Sequence, residues 1–114
     1  MNKTQIWICT GFTRTETIRN MLETYGVSSL GALVELWCFA REQDKSGKLA
    51  KNFVNGLLQR LAHDIGCSSE HEEIEELFDR GWINWLAQNN LLEKTDEGYQ
   101  IVFGLVLFEE PEQD

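Results

Sequence analysis

Leu30-Gly31-Ala32-Leu33-Val34-Glu35-Leu36-Trp37-Cys38-Phe39-Ala40, followed shortly by Lys45-Ser46-Gly47-Lys48-Leu49, sets an apolar helix against a polar turn and a short extended step. Ser28 or Ser29 can cap a helix here, and helical spacing turns Leu30, Leu33, Val34, Trp37 and Cys38 inward through about Asp44. It is the most apolar helix of the chain. Gly31 and Ala32 keep part of its surface small, which predicts the close approach of another helix. Lys45-Ser46-Gly47 reads as a turn, and Gly47-Lys48-Leu49 is short enough for a β-bridge rather than a full strand.

Upstream, Gln5 to Cys9 forms a short β-branched and aromatic run, fit for an edge strand or an extended arm. A helix follows: Thr13 and Glu16 have the spacing of a capping box, Ile18, Met21, Leu22 and Tyr25 share one face, and Gly26 supplies the stop. Downstream, Asn52 can start a third helix in which Phe53, Leu57, Leu58, Leu61 and Ile65 form a stripe ending at Gly66.

Ser69 and Glu72 repeat the capping-box spacing, after which Ile74, Leu77, Phe78, Gly81, Trp85, Leu86 and Leu92 keep helical periodicity. The pattern fits either one long helix or two broken at Gly81. Leu91 to Lys94, Thr95-Asp96-Glu97-Gly98 and Tyr99 to Phe103 then read as a β-hairpin, which Leu105 to Phe108 can extend. Neither an internal repeat nor a linker occurs. The expectation is a mainly α single domain over residues 1–108 with a small β-hairpin, and an acidic tail over 109–114.

Helix, helix, short bridge, helix, helix, hairpin is the element order of a winged helix-turn-helix. The run from Leu30 to Ala40 with Gly47-Lys48-Leu49 resembles the amino-terminal winged-helix domains of phage and prophage replication proteins, the replisome-organiser and DnaD-like group. Arg80-Gly81-Trp82-Ile83 or Asn90-Leu91-Leu92-Glu93 matches the step by which that group enters its wing, with Asp96 to Tyr99 as the wing tip. The likeness spans residues 13 to about 103 and lies mostly in core-packing positions. It implies a role in replication or regulation of a phage or mobile element. Two departures stand out: an extra helical stretch from Trp82 to Asn90, and an acidic segment where a recognition helix is expected.

Charge is divided sharply along the chain. Up to Ser69 there are 8 Lys/Arg and 6 Asp/Glu, whereas Glu70 to Asp114 holds 2 and 13, for a net charge of −9 overall. Glu72, Glu73, Glu75, Glu76 and Asp79 crowd one helical segment that has no basic residue up to Asp79, and such a segment repels phosphates. A solvated helix face is the plain reading of these acids. The functional reading is a face for a protein partner with a basic surface, or an acidic DNA mimic, an inhibitor of anti-CRISPR type that blocks a basic nucleic-acid groove. Direct duplex binding should be weak or absent. The basic residues are plainly read as scattered surface, with Arg41, Lys45, Lys48 and Lys51 as the alternative basic patch.

No catalytic constellation emerges, so an enzyme is not expected, nor is a cofactor or a metal. His63, Cys67 and His71 are spaced by four, but Gly66 and the Ser68-Ser69 cap interrupt the helix that would align them. Adjacent His63 and Asp64 point about 100° apart on a helix, a poor geometry for activating Cys67. Cys9, Cys38 and Cys67 form no CxxC pair and read as reduced, small buried thiols of a cytoplasmic protein. Neither a signal peptide nor a membrane span is expected. Trp37 and Trp85 lie on apolar stripes and should be core, whereas Trp7 and Trp82 lie off them, where partial burial competes with a role as interface anchors. Trp82 and Ile83, with Leu105 to Phe108, leave room for a homodimer interface or can complete the core.

Overall fold

The computed structural model describes residues 5–44, 46–65 and 75–109, with backbone alone at 5, 61–65 and 109. The architecture is mainly helical with two small antiparallel sheets. Strand β1 (Gln5–Ile8) is followed by a 3-10 turn at Phe12–Arg14 and helix α1 (Glu16–Tyr25). The cap is Thr15 rather than Thr13. Thr15 Oγ1 donates to Phe12 O at 2.8 Å and accepts from Ile18 N at 3.4 Å, so one hydroxyl closes the 3-10 turn and opens the helix. Thr13 is held inside that turn and cannot cap.

Helix α2 (Ser28–Gln43) starts without a side-chain cap, because Ser29 Oγ turns back to donate to Gly26 O at 2.6 Å. It packs against α1, helix α3 (Phe53–Ile65), β1 and β2 (Lys48–Ala50), and is therefore buried around most of its circumference. Ala32, Leu33, Leu36, Trp37, Phe39 and Ala40 are buried, whereas Leu30, Val34 and Cys38 are only partly so. The close helix approach falls at Gly56 of α3, where an added Cβ would meet Phe39 Cζ at 2.9 Å; the space around Gly31 is open. Phe53 and Leu57 bring α3 into the core.

Residues 75–79 are helical, and the helix breaks at Gly81, whose φ of 82° is left-handed. Helix α4 (Trp82–Gln88) then starts in a new phase, with Trp82 and Leu86 fully buried. It packs on β3 (Leu92–Lys94), which pairs antiparallel with β4 (Gly98–Ile101). The order of this sheet is β2-β4-β3, in the register Leu49 to Tyr99 and Glu93 to Gln100. Gly98 is fixed by close approach: a Cβ there would lie 2.1 Å from Leu49 O and 2.7 Å from Ala50 C, both backbone atoms.

The segment after the hairpin does not extend that sheet. Strand β5 (Val106–Glu109) pairs antiparallel with β1 in a separate two-stranded ribbon, with Trp7 opposite Leu107 and Ile8 opposite Val106. Glu109 therefore belongs to the folded domain and not to a tail. Val106 is buried, and Ile6, Ile8 and Phe108 pack beside it on the core. No helix among the described residues is long and apolar enough to cross a membrane.

Candidate protein-interaction surface

The acidic segment is anchored from beneath and charged above. Leu77 inserts into the core at 2% exposure, and the Phe78 ring meets Trp82 at 5.8 Å, while Glu75, Glu76 and Asp79 are exposed. On one helical turn, side chains three and four apart have Cβ atoms about 5–6 Å from each other, so Asp79 neighbours both glutamates. Glu72 and Glu73 lie outside the described residues.

Arg80 is the basic residue nearest in sequence to these acids, and it is turned away from them. Its guanidinium donates to Thr24 O at 2.7 Å, at the carbonyl-rich end of α1, and lies 5.0 Å from the Tyr25 ring centroid. Tyr25 in turn meets Trp85 edge-on at 6.0 Å. The result ties the acidic segment to α1 and α4 and leaves the carboxylates facing outward on a fixed support.

Among the described residues, the expected basic patch loses Arg41. Arg41 is buried at 9% exposure in the last turn of α2, where α2 is covered by its neighbours, so it is no part of a surface patch. Lys45 lies outside the described residues. Lys48 and Lys51 are exposed, but Lys48 shares a hollow with Asp44, Asp96 and Glu97, whose charge opposes its own. Arg60 of α3 is engaged by Glu35 at 3.2 Å and by Glu42, seven residues apart on α2. The pairing staples α3 to α2 and removes another cation from the surface.

The helix that leads into the hairpin is α4, not the acidic segment. α4 has no charged residue and exposes Asn84 and Gln88, with Asn89 donating from Nδ2 to Trp85 O at 2.8 Å just beyond its end. Trp82 cannot serve as an interface anchor, because it is fully buried. The break at Gly81 resets the helical phase, so a stripe carried forward from Leu77 and Phe78 misplaces it. Trp85 is partly exposed and Trp37 is core; Trp7 is 54% exposed. Leu107, within the Leu105 to Phe108 segment offered as an interface, is 49% exposed, and Phe103, which the sequence places only in the hairpin, is 41% exposed.

Cys9 is exposed and donates from Sγ to Gly104 O at 3.2 Å, contrary to the expected buried thiol. The Cys38 thiol is raised above its ordinary pKa of 9.0 by burial and by the nearby Glu35 carboxylate, with Arg60 opposing. Such a thiol stays protonated and is a poor nucleophile. No cluster of three or more His, Cys, Asp or Glu suited to a metal occurs among the described residues. The His63 side chain, Cys67 and His71 lie outside them. Comparison with family models, curated proteins and solved structures gives no match to this chain.

Proposed function

We propose that the chain is a non-enzymatic winged-helix interaction protein of phage or mobile-element type, acting in replication or regulation, and that it binds a basic surface on a partner protein. The element order α2, β2, α3, α4, β3, β4 and the strand order β2-β4-β3 support the winged-helix reading. Fold alone does not choose the ligand. The observation that carries the choice is the outward face of Glu75, Glu76 and Asp79 on a segment whose arginine is committed to Thr24 O and Tyr25. A duplex approaching that face meets like charge, and α4 beside it offers amides without a cation for phosphate. A basic protein meets the opposite field, which speeds encounter and makes it salt-dependent.

A second reading follows from the same carboxylates: Asp79 follows Glu75 and Glu76 by four and three residues on one helical turn, and three acids so grouped can stand in for phosphates and fill a basic nucleic-acid groove, as an inhibitor of anti-CRISPR type does. Titration of the full chain against labelled duplex DNA at about 50 mM salt tests the shared premise, and saturable duplex binding there defeats both readings. Competition separates them once a partner is in hand. A DNA mimic is displaced by nucleic acid added to the complex, whereas an interaction protein docked elsewhere on its partner is not.

A further inference from the structure

In a chain with 10 Lys/Arg and 19 Asp/Glu, residues 5–13 and 98–108 carry no charge at all. The two runs meet in the β1–β5 ribbon, whose outer face presents Trp7 and, directly across from it, Leu107. Cys9 N donates to Leu105 O at 2.9 Å, and by the alternation of antiparallel pairing Trp7 also directs its backbone groups to β5. The N–H and C=O of Ile6 and Ile8 therefore point to the opposite edge. Among the described residues no strand pairs with that edge. Exposed edges are ordinarily guarded by lysine, proline or a bulge, and Gln5–Ile8 has none of these.

We propose that this edge pairs with β1 of a second copy, antiparallel about a twofold axis at Trp7, to make a four-stranded sheet β5-β1-β1-β5. The sequence fits itself in that register. Ile6-Trp7-Ile8 reads the same in both directions about Trp7, so Ile6 of each copy faces Ile8 of the other, and these are the residues whose backbone groups are turned outward. Trp7 then faces Trp7 as a non-hydrogen-bonded pair, with Cα atoms about 4.5 Å apart. Two chains of net charge −9 repel, and the repulsion is least where the touching surface is uncharged: β1, the strand at the contact, carries no charge, and the one charged residue of the ribbon, Glu109, lies on β5, the far strand. A contact made through one four-residue strand from each copy is short for an interface, so association should be weak and concentration-dependent.

The dimer is independent of the acidic face, and salt tells the two apart: screening strengthens association of like-charged copies and weakens capture of a basic partner. Sedimentation equilibrium of the full chain from about 10 μM to about 1 mM should show mass rising from 13.2 kDa toward twice that value, more steeply at higher salt. Trp7→Lys, at an exposed position, should hold the chain at monomer mass. In a Cys9→Ser background, Trp7→Cys should form an intermolecular disulfide on mild oxidation, since a Cα separation of about 4.5 Å is within disulfide range. Leu107→Cys, one strand further out, should not exceed the Cys9→Ser parent. A wild-type chain that stays monomeric throughout, a dimer that survives Trp7→Lys, or crosslinking through Leu107→Cys but not Trp7→Cys each overturns the proposal. The first outcome would leave the open edge to an extended strand of another protein.

Discussion

Two glycine-to-alanine substitutions should have opposite signs, and the contrast tests the packing of the β2-β4-β3 sheet. At Gly98 the new methyl would sit 2.1 Å from Leu49 O, more than about 1 Å inside ordinary contact, and 2.8 Å from Lys51 N. The obstructing atoms are backbone and cannot rotate away, so β2 must lift from β4. Overpacking of this kind costs about 1–3 kcal/mol. Weakening the short ladder from Lys48 to Ala50 adds roughly 0.5–1.5 kcal/mol for each hydrogen bond lost. Together these give about 3 kcal/mol, a large share of the ~5–15 kcal/mol that stabilises a typical domain. The melting temperature should fall by roughly 10 °C. At Gly31 nothing lies within 4 Å of an added Cβ, and the residue is inside α2, so alanine there should stabilise by about 0.4–1 kcal/mol. Urea unfolding followed by tryptophan fluorescence and far-ultraviolet circular dichroism measures both. A loss below about 1 kcal/mol at Gly98 would refute the assigned β2–β4 register, and destabilisation at Gly31 would refute the open surface assigned to that side of α2.

The tryptophans and the arginine clamp give further tests. Trp82→Ala removes a fully buried side chain and should cost ~3–5 kcal/mol, whereas Trp7→Ala, at 54% exposure, should cost under about 1 kcal/mol in the monomer; denaturant midpoints decide. Arg80→Gln loses the charged donor to Thr24 O and the contact over Tyr25, for roughly 1 kcal/mol, and a cycle with Tyr25→Leu should show the two changes to be coupled. At Cys38 burial and Glu35 hold the folded-state pKa above the ordinary 9.0, so the proton leaves the unfolded chain first as pH rises. The stability this thiol contributes is complete below 9.0 and is lost as pH climbs through the folded value, so Cys38→Ala should flatten the alkaline limb of the stability profile.

Local patterns announced the elements better than their partners. The apolar run of α2, the stripe of α3 and the Thr95 to Gly98 turn were readable because helical period, strand alternation and a turn glycine are properties of short windows. Pairing of β1 with β5 was not, since strand alternation fixes a buried face and names no mate nearly the whole chain away. The misplaced patch has a similar cause. An arginine is ordinarily a surface residue, and Arg41 is buried on α2, the helix that β1, β2, α1 and α3 all contact, so its burial is a tertiary effect that its residue type does not announce. Arg60 is taken up by carboxylates on another helix, a contact invisible to spacing within α3. Trp82 is buried off the apolar stripe because one left-handed residue, Gly81, shifts the helical phase of everything after it. The acidic run, in contrast, is visible in a count of charge along the chain, and Glu75, Glu76 and Asp79 are exposed on a helical segment.

Binding of a basic partner by this acidic face can be measured directly. Quantitative affinity capture from cell lysate should compare the full chain with Glu75→Gln/Glu76→Gln/Asp79→Asn, after circular dichroism shows that the variant keeps its fold. A basic protein should be retained by the unchanged chain, released by about 0.5 M salt and lost from the triple variant. Equal retention of every captured protein by both chains would contradict it.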